Sequence, residues 1–144
     1  STFWTERVGF IAGIETLKLM KEKKSWETIA QNGKYFNLMI EKLASKHKLN
    51  IKISGIESIT SFNFISKKNI AYKTFITQEM LKKKYLASNL IYLSIFHTKK
   101  IIDKYMKDLD PVFKKISFFE KKNINIKKFI KKEICHQTFQ RLNS

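Results

Sequence analysis

The spacing of apolar residues changes period several times along the chain, and each change marks an element. From Thr5 to Lys24, Val8, Ile11, Ala12, Ile14, Leu17 and Leu19 or Met20 recur at helical spacing, and the segment ends in lysines, as a helix C-terminus favours. Its first half is nearly apolar on every side, so that half is expected to be buried. Ser25 is the expected N-cap of a second helix, with Glu27 in the first turn. That helix carries Trp26, Ile29, Phe36, Met39, Ile40 and Leu43 and ends near His47 and Lys48.

The period then falls to two. Ile51 and Ile53 alternate with Lys52 and Ser54 until Gly55 breaks the run, and a second β-rich stretch follows through Phe62, Phe64 and Ile65. A loop is expected around Ser66 to Ala71 and a short helix from Thr74 to Lys84. Leu90 to Phe96 reads as a strand apolar enough to be central. Thr98 should cap a last long helix with a stripe through Ile102, Tyr105, Met106, Leu109, Val112, Phe113 and Ile116. Pro111 lies inside this stripe and should kink or interrupt it. Ser117 to Lys132 is basic and reads as a packed helix or a loosely held arm. The order helix, helix, strand, strand, helix, strand, helix predicts an α+β domain with a small, largely antiparallel sheet and helices on one face. The first helix is too apolar for an end element and is expected to pack on something outside this chain.

The 144 residues suffice for one modest domain. The chain begins with Ser1, which suits a processed chain or a piece of a longer one, and its start shows no signal-peptide pattern. No apolar run is long enough to predict a membrane span. A lone cysteine, Cys135, rules out an internal disulfide and fits a reducing cytoplasm. The formal net charge of +17 taken alone points to a polyanion. Only two of the 29 basic residues, Arg7 and Arg141, are arginines, however, and the lysines are spread along the whole chain. With Ile, Asn and Phe abundant and Gly and Pro scarce, this is the bias of an AT-rich genome. Nucleic-acid readers cluster their charge and favour arginine, so a basic nucleic-acid-binding module ranks last.

Candidate chemistry inside the chain is sparse. His47, His97 and His136 are far apart and only Cys135 and His136 are adjacent, so no metal site is expected. Cys135 lacks the third orienting group of a nucleophile and base pair, and is read as a bystander thiol. There is no glycine-rich phosphate loop. Ser1 and Thr2 just before a helix offer hydroxyls and backbone N–H groups of the kind that bind phosphate.

Four segments in order carry a resemblance. They are Ser1-Thr2-Phe3-Trp4-Thr5-Glu6-Arg7 before the apolar helix, Lys52-Ile53-Ser54-Gly55 before a Phe-rich strand, Tyr92 to Thr98 followed by Ile102-Asp103, and the tail Ile134-Cys135-His136 with Phe139, Arg141 and Leu142. Together they resemble the C-terminal part of class III aminotransferases, pyridoxal-phosphate enzymes of fold type I, in the branch related to glutamate-1-semialdehyde 2,1-aminomutase. The resemblance implies three parts. Residues 1–24 would be a phosphate-contact segment and a long interdomain helix leading from a large domain absent here, 25–116 a small C-terminal domain, and 117–144 a basic tail. It implies pyridoxal 5'-phosphate as cofactor, with Thr2 and Ser1 at its phosphate in the partner subunit's site. The enzyme would be a homodimer with shared active sites, acting on small amine and carbonyl substrates in the cytoplasm. The Schiff-base lysine would lie upstream of Ser1, leaving this chain alone without catalytic residues and inactive. Trp4-Thr5-Glu6-Arg7 departs from the aminomutase pattern, and the aminomutase's active-site glutamate falls on Asn89. An amide cannot act as that acid or base, so an aminotransferase is favoured over the aminomutase. Asn89 and Arg7 are the candidate substrate-pocket residues, Arg7 for a carboxylate, although an ion pair with Glu6 or with a neighbouring subunit ranks above that role.

Overall fold

The structure, a computed structural model, describes residues 6–135. Its elements are α1 (Arg7–Glu22), α2 (Ser25–Lys46), β1 (Ile51–Ile56), β2 (Ile59–Phe64), α3 (Asn69–Leu81), β3 (Leu90–Tyr92) and α4 (Lys99–Lys121), followed by a 3-10 turn at Ile126–Phe129. The strands form one antiparallel sheet in the order β1-β2-β3. Thr60, Phe62 and Phe64 of β2 turn one face inward. Phe62 and Phe64 meet Phe113 of α4, Phe64 meets Tyr72 of α3, and Thr60 donates its hydroxyl to Asn37 of α2 at 2.8 Å. Helices α2, α3 and α4 therefore cover a single face, as the α+β reading expects. The core is one cluster in which Ile40, Ile76, Met80, Leu109, Phe113 and Ile116 have no exposed surface.

Several elements differ from the sequence reading for local reasons. β3 is short and lies at the sheet edge, while β2 is central. Beyond Tyr92 the backbone turns: His97 N–H donates to the Ser94 carbonyl and Thr98 N–H to that of Phe96, which bends the chain into α4. α3 starts five residues before the expected Thr74. Asn69 accepts the Phe64 N–H and Ser66 Oγ accepts that of Lys68, so this polar pair closes the turn early. Ser25 is not the cap of α2 but its first residue. Lys24, in the left-handed region at φ 43°, holds the cap position without a side-chain bond. Thr98 does precede α4, with no side-chain cap bond. α4 runs through Pro111 without interruption. One missing N–H is outweighed by the stripe of Leu109, Val112, Phe113 and Ile116 buried on either side of it.

The end of α2 is tied to α4 beside that proline. Asp110 accepts from Lys46 Nζ at 2.9 Å and lies 2.6 Å from His47 Nε2, while Ser117 Oγ donates to the His47 carbonyl at 2.6 Å. The Lys46 hydrogen bond first, then that of His47, holds the Asp110 carboxyl below the usual carboxylate range. A carboxyl depressed in the folded state stabilises the fold above its unfolded pKa, and that contribution is lost as pH falls through the folded value. Asp110→Asn is accordingly expected to cost about 1 kcal/mol at neutral pH, because solvent screens a partly exposed pair. The deficit should begin to shrink in urea titrations as pH falls below about 4 and vanish only below the depressed folded value. A deficit equal at pH 3 and pH 7 would refute the ion-pair account.

α1 stands apart. None of its residues is buried, and Val8, Phe10, Ile11, Ile14, Leu17, Leu19 and Met20 are exposed, Val8 at 72% and Phe10 at 68%. Its apolar first half, expected to be buried, is thus uncovered within residues 6–135. Among the described residues no helix is long and apolar enough to cross a membrane.

Candidate functional site

The predicted site residues do not converge among the described residues. Ser1 and Thr2 lie outside them. Arg7 is the first residue of α1, exposed, and makes no ion pair within the described part. Asn89 is half-buried beside β2. Its carbonyl accepts the Phe62 N–H at 3.0 Å, its Nδ2 donates to Asn63 Oδ1 at 3.0 Å, and Ser88 Oγ donates to its Oδ1 at 3.3 Å. Asn69 Nδ2 donates to the same Asn63 oxygen at 3.3 Å. The amide at Asn89 thus belongs to an asparagine network that continues the β2–β3 pairing, and it does not line the main cavity.

That cavity, about 420 Å³, opens between the segment Lys84 to Leu93, the start of α4 and Phe36 of α2. Sequence reasoning missed it, because its walls come from three separated segments and share no spacing. Tyr85 and Tyr105 meet edge to face at 5.4 Å, and Phe36 lies 6.1 Å from Tyr105. Tyr85 donates its hydroxyl to Asp108 Oδ2 at 2.8 Å, which draws the Asp108 carboxyl down, while burial and that bond push the Tyr85 phenol up. The Tyr105 hydroxyl is buried with no partner, and burial raises its pKa. His97 enters through a local turn: the Ser94 N–H donates to His97 Nδ1 at 2.9 Å. Leu86, 97% exposed, stands at the opening.

Other polar clusters are structural. Glu79 pairs with Lys82 and Lys115, whose hydrogen bonds hold its carboxyl down although burial pushes the other way. Cys135 sits against Thr74, whose hydroxyl accepts the Cys135 N–H and reaches the thiol at 3.2 Å. Among the described residues no three His, Cys, Asp or Glu side chains group as a metal site.

None of the four α-helices begins with a side-chain cap bond, so no helix start within residues 6–135 is singled out for a phosphate ester. The first-turn N–H groups of α1 carry no capping side chain, since Glu6 at the cap makes no side-chain bond. All lysines of the described part are exposed or half-buried, none enclosed in a dry pocket.

The two-layer arrangement has a counterpart among solved structures of pyridoxal-phosphate proteins. One such protein is FumI from Sphingopyxis sp. MTA144, in its PLP internal aldimine form. It matches 84% of this chain with a TM-score of 0.73 and 21% sequence identity. The match establishes a shared fold, and the chain spans 30% of the FumI chain. No protein-family model matches the sequence, and no curated protein does either.

Proposed function

We propose that this chain is the C-terminal part of a pyridoxal-phosphate-dependent class III aminotransferase, which moves an amino group between an amine and a carbonyl substrate. The observation that carries the reading is the fold correspondence to under a third of a pyridoxal-phosphate protein, in a chain whose ordered segments independently resemble that family. Helix α1, whose apolar side chains are uncovered among the described residues, supports it, because a short isolated helix is marginal in water and an exposed apolar face marks contact with further polypeptide.

In this reading the enzyme is a cytoplasmic homodimer with shared active sites. Thr2 and Ser1, together with the first-turn N–H groups of α1, contact the cofactor phosphate; a hydroxyl and backbone donors at a helix start suit a dianion. Arg7 serves a substrate carboxylate. The Schiff-base lysine belongs to the upstream polypeptide, so the chain alone is inactive. The cofactor, when bound, supplies an electron sink for the bonds at the amine-bearing carbon. In the full-length enzyme Thr2→Ala is expected to weaken cofactor retention about tenfold, the scale of one charge-assisted hydrogen bond. Cofactor absorbance after equilibrium dialysis reads this directly, and unchanged retention would remove Thr2 from the site.

The alternative is glutamate-1-semialdehyde 2,1-aminomutase, which shifts an amino group within one substrate. Asn89 argues against it, since an uncharged amide held by Asn63 and Ser88 offers no acid or base. Product analysis of the full-length enzyme with glutamate-1-semialdehyde separates the two. Conversion without an external amine would favour the mutase.

A further inference from the structure

We propose that the cavity between α4 and the Lys84 to Leu93 segment binds a small carboxylate with an aromatic or aliphatic body. This does not depend on the aminotransferase reading. Its volume, about 420 Å³, lies within the range of small-ligand sites. Phe36, Tyr85, Leu93, Ile102 and Tyr105 make the walls apolar and aromatic, which suits an apolar body.

The polar groups at the lining are the hydroxyls of Tyr85, Ser88, Tyr92 and Tyr105 and two nitrogen groups. The nitrogen groups are an ammonium, Lys84, and an imidazole, His97, and the lining holds no carboxylate. Neighbouring Lys82 and Lys83 are engaged by Glu79 and Asp108, whereas Lys84 has no such partner among the described residues. His97 is held in a defined form. A backbone N–H can only donate, so His97 Nδ1 accepts from Ser94 and the proton of the neutral ring sits on Nε2. The Ser94 hydroxyl lies 3.1 Å from the same Nδ1. His97 Nε2 has no hydrogen-bond partner among the described residues and, with Nδ1 accepting, is a donor. Two donors at the edge of an apolar hollow, within a chain of formal charge +17, select an anionic acceptor over an ammonium or a neutral group.

The test uses the 144-residue chain, isotopically labelled, titrated by NMR with 3-phenylpropionate and, in parallel, with 3-phenylpropionamide and 3-phenylpropylamine. The expected result is saturable perturbation of Leu93, His97 and Tyr105 signals by the carboxylate, with much weaker effects of the amide and none of the amine. Lys84→Gln, an exposed substitution, should weaken the carboxylate about threefold. His97→Asn keeps an acceptor for the Ser94 N–H but removes the Nε2 donor, and should weaken it about tenfold. Equal response to all three compounds would overturn the proposal in favour of an unselective apolar groove, and so would no response to any of them. The comparison of the three compounds on the unmodified chain decides the matter even if a variant fails to fold.

Discussion

Gly33→Ala is expected to destabilise the domain by about 2 kcal/mol or more. α2 crosses the tip of the β1–β2 hairpin at Gly33, and a Cβ there would stand 1.8 Å from the Glu57 carbonyl oxygen and 2.5 Å from its carbon. Both obstacles are backbone, so no side chain can swing away. Alanine in a helix gains about 1 kcal/mol over glycine, but overpacking against fixed atoms costs about 3 kcal/mol or more, so the clash wins. Gly9 and Gly13 in α1 provide the control. A Cβ at either meets nothing within 4 Å, and alanine there should stabilise the isolated chain by up to about 1 kcal/mol. Urea denaturation followed by circular dichroism measures all three. A Gly33→Ala protein as stable as its parent would show that the helix does not press on the hairpin.

Phe113→Ala is expected to be the most damaging change in the core. Phe113 has no exposed surface, and its ring lies 6.1 Å from Phe62 and 5.5 Å from Phe64, so it joins α4 to the central strand. Truncation loses the buried area and leaves a cavity between two layers that cannot close on it. The expected loss is about 3–5 kcal/mol, against a total of about 5–15 kcal/mol for a small domain. Phe118→Ala, one turn on and half exposed, should cost far less. Equal losses at the two positions in the same denaturation experiment would contradict the assignment of Phe113 to the core.

Much of this architecture is legible in the chain. The stripes of α2 and α4 have the helical period, and the alternation of Ile51, Lys52, Ile53 and Ser54 announces β1, because burial on one face writes its period into the side chains. Leu90 to Phe96 misleads. Seven residues dominated by apolar side chains satisfy a central strand, yet bonds between Ser94, Phe96, His97 and Thr98 turn the backbone, and Phe96 ends exposed. α3 begins early for a similar reason: its start rests on Ser66 and Asn69 side chains bonding to nearby N–H groups, which has no apolar signature.

The candidate site is less legible. Asn89 is identified by a resemblance, and only the pairing of β2 with the segment before β3 shows that its amide is taken up by Asn63. The cavity joins Phe36, Tyr85, His97 and Tyr105 across three segments.

The sequence by itself determined the class, α+β with helices over one face of a small sheet, and it marked α1 as a helix too apolar to stand alone. Those properties follow from local period and composition, which each segment carries within itself. Only the tertiary structure decided that β2 is central, that Gly33 must lack a side chain, that α4 continues through Pro111, and that aromatic residues far apart in sequence enclose a cavity. Each of these depends on which surfaces meet, and contacts between distant segments leave no period along the chain.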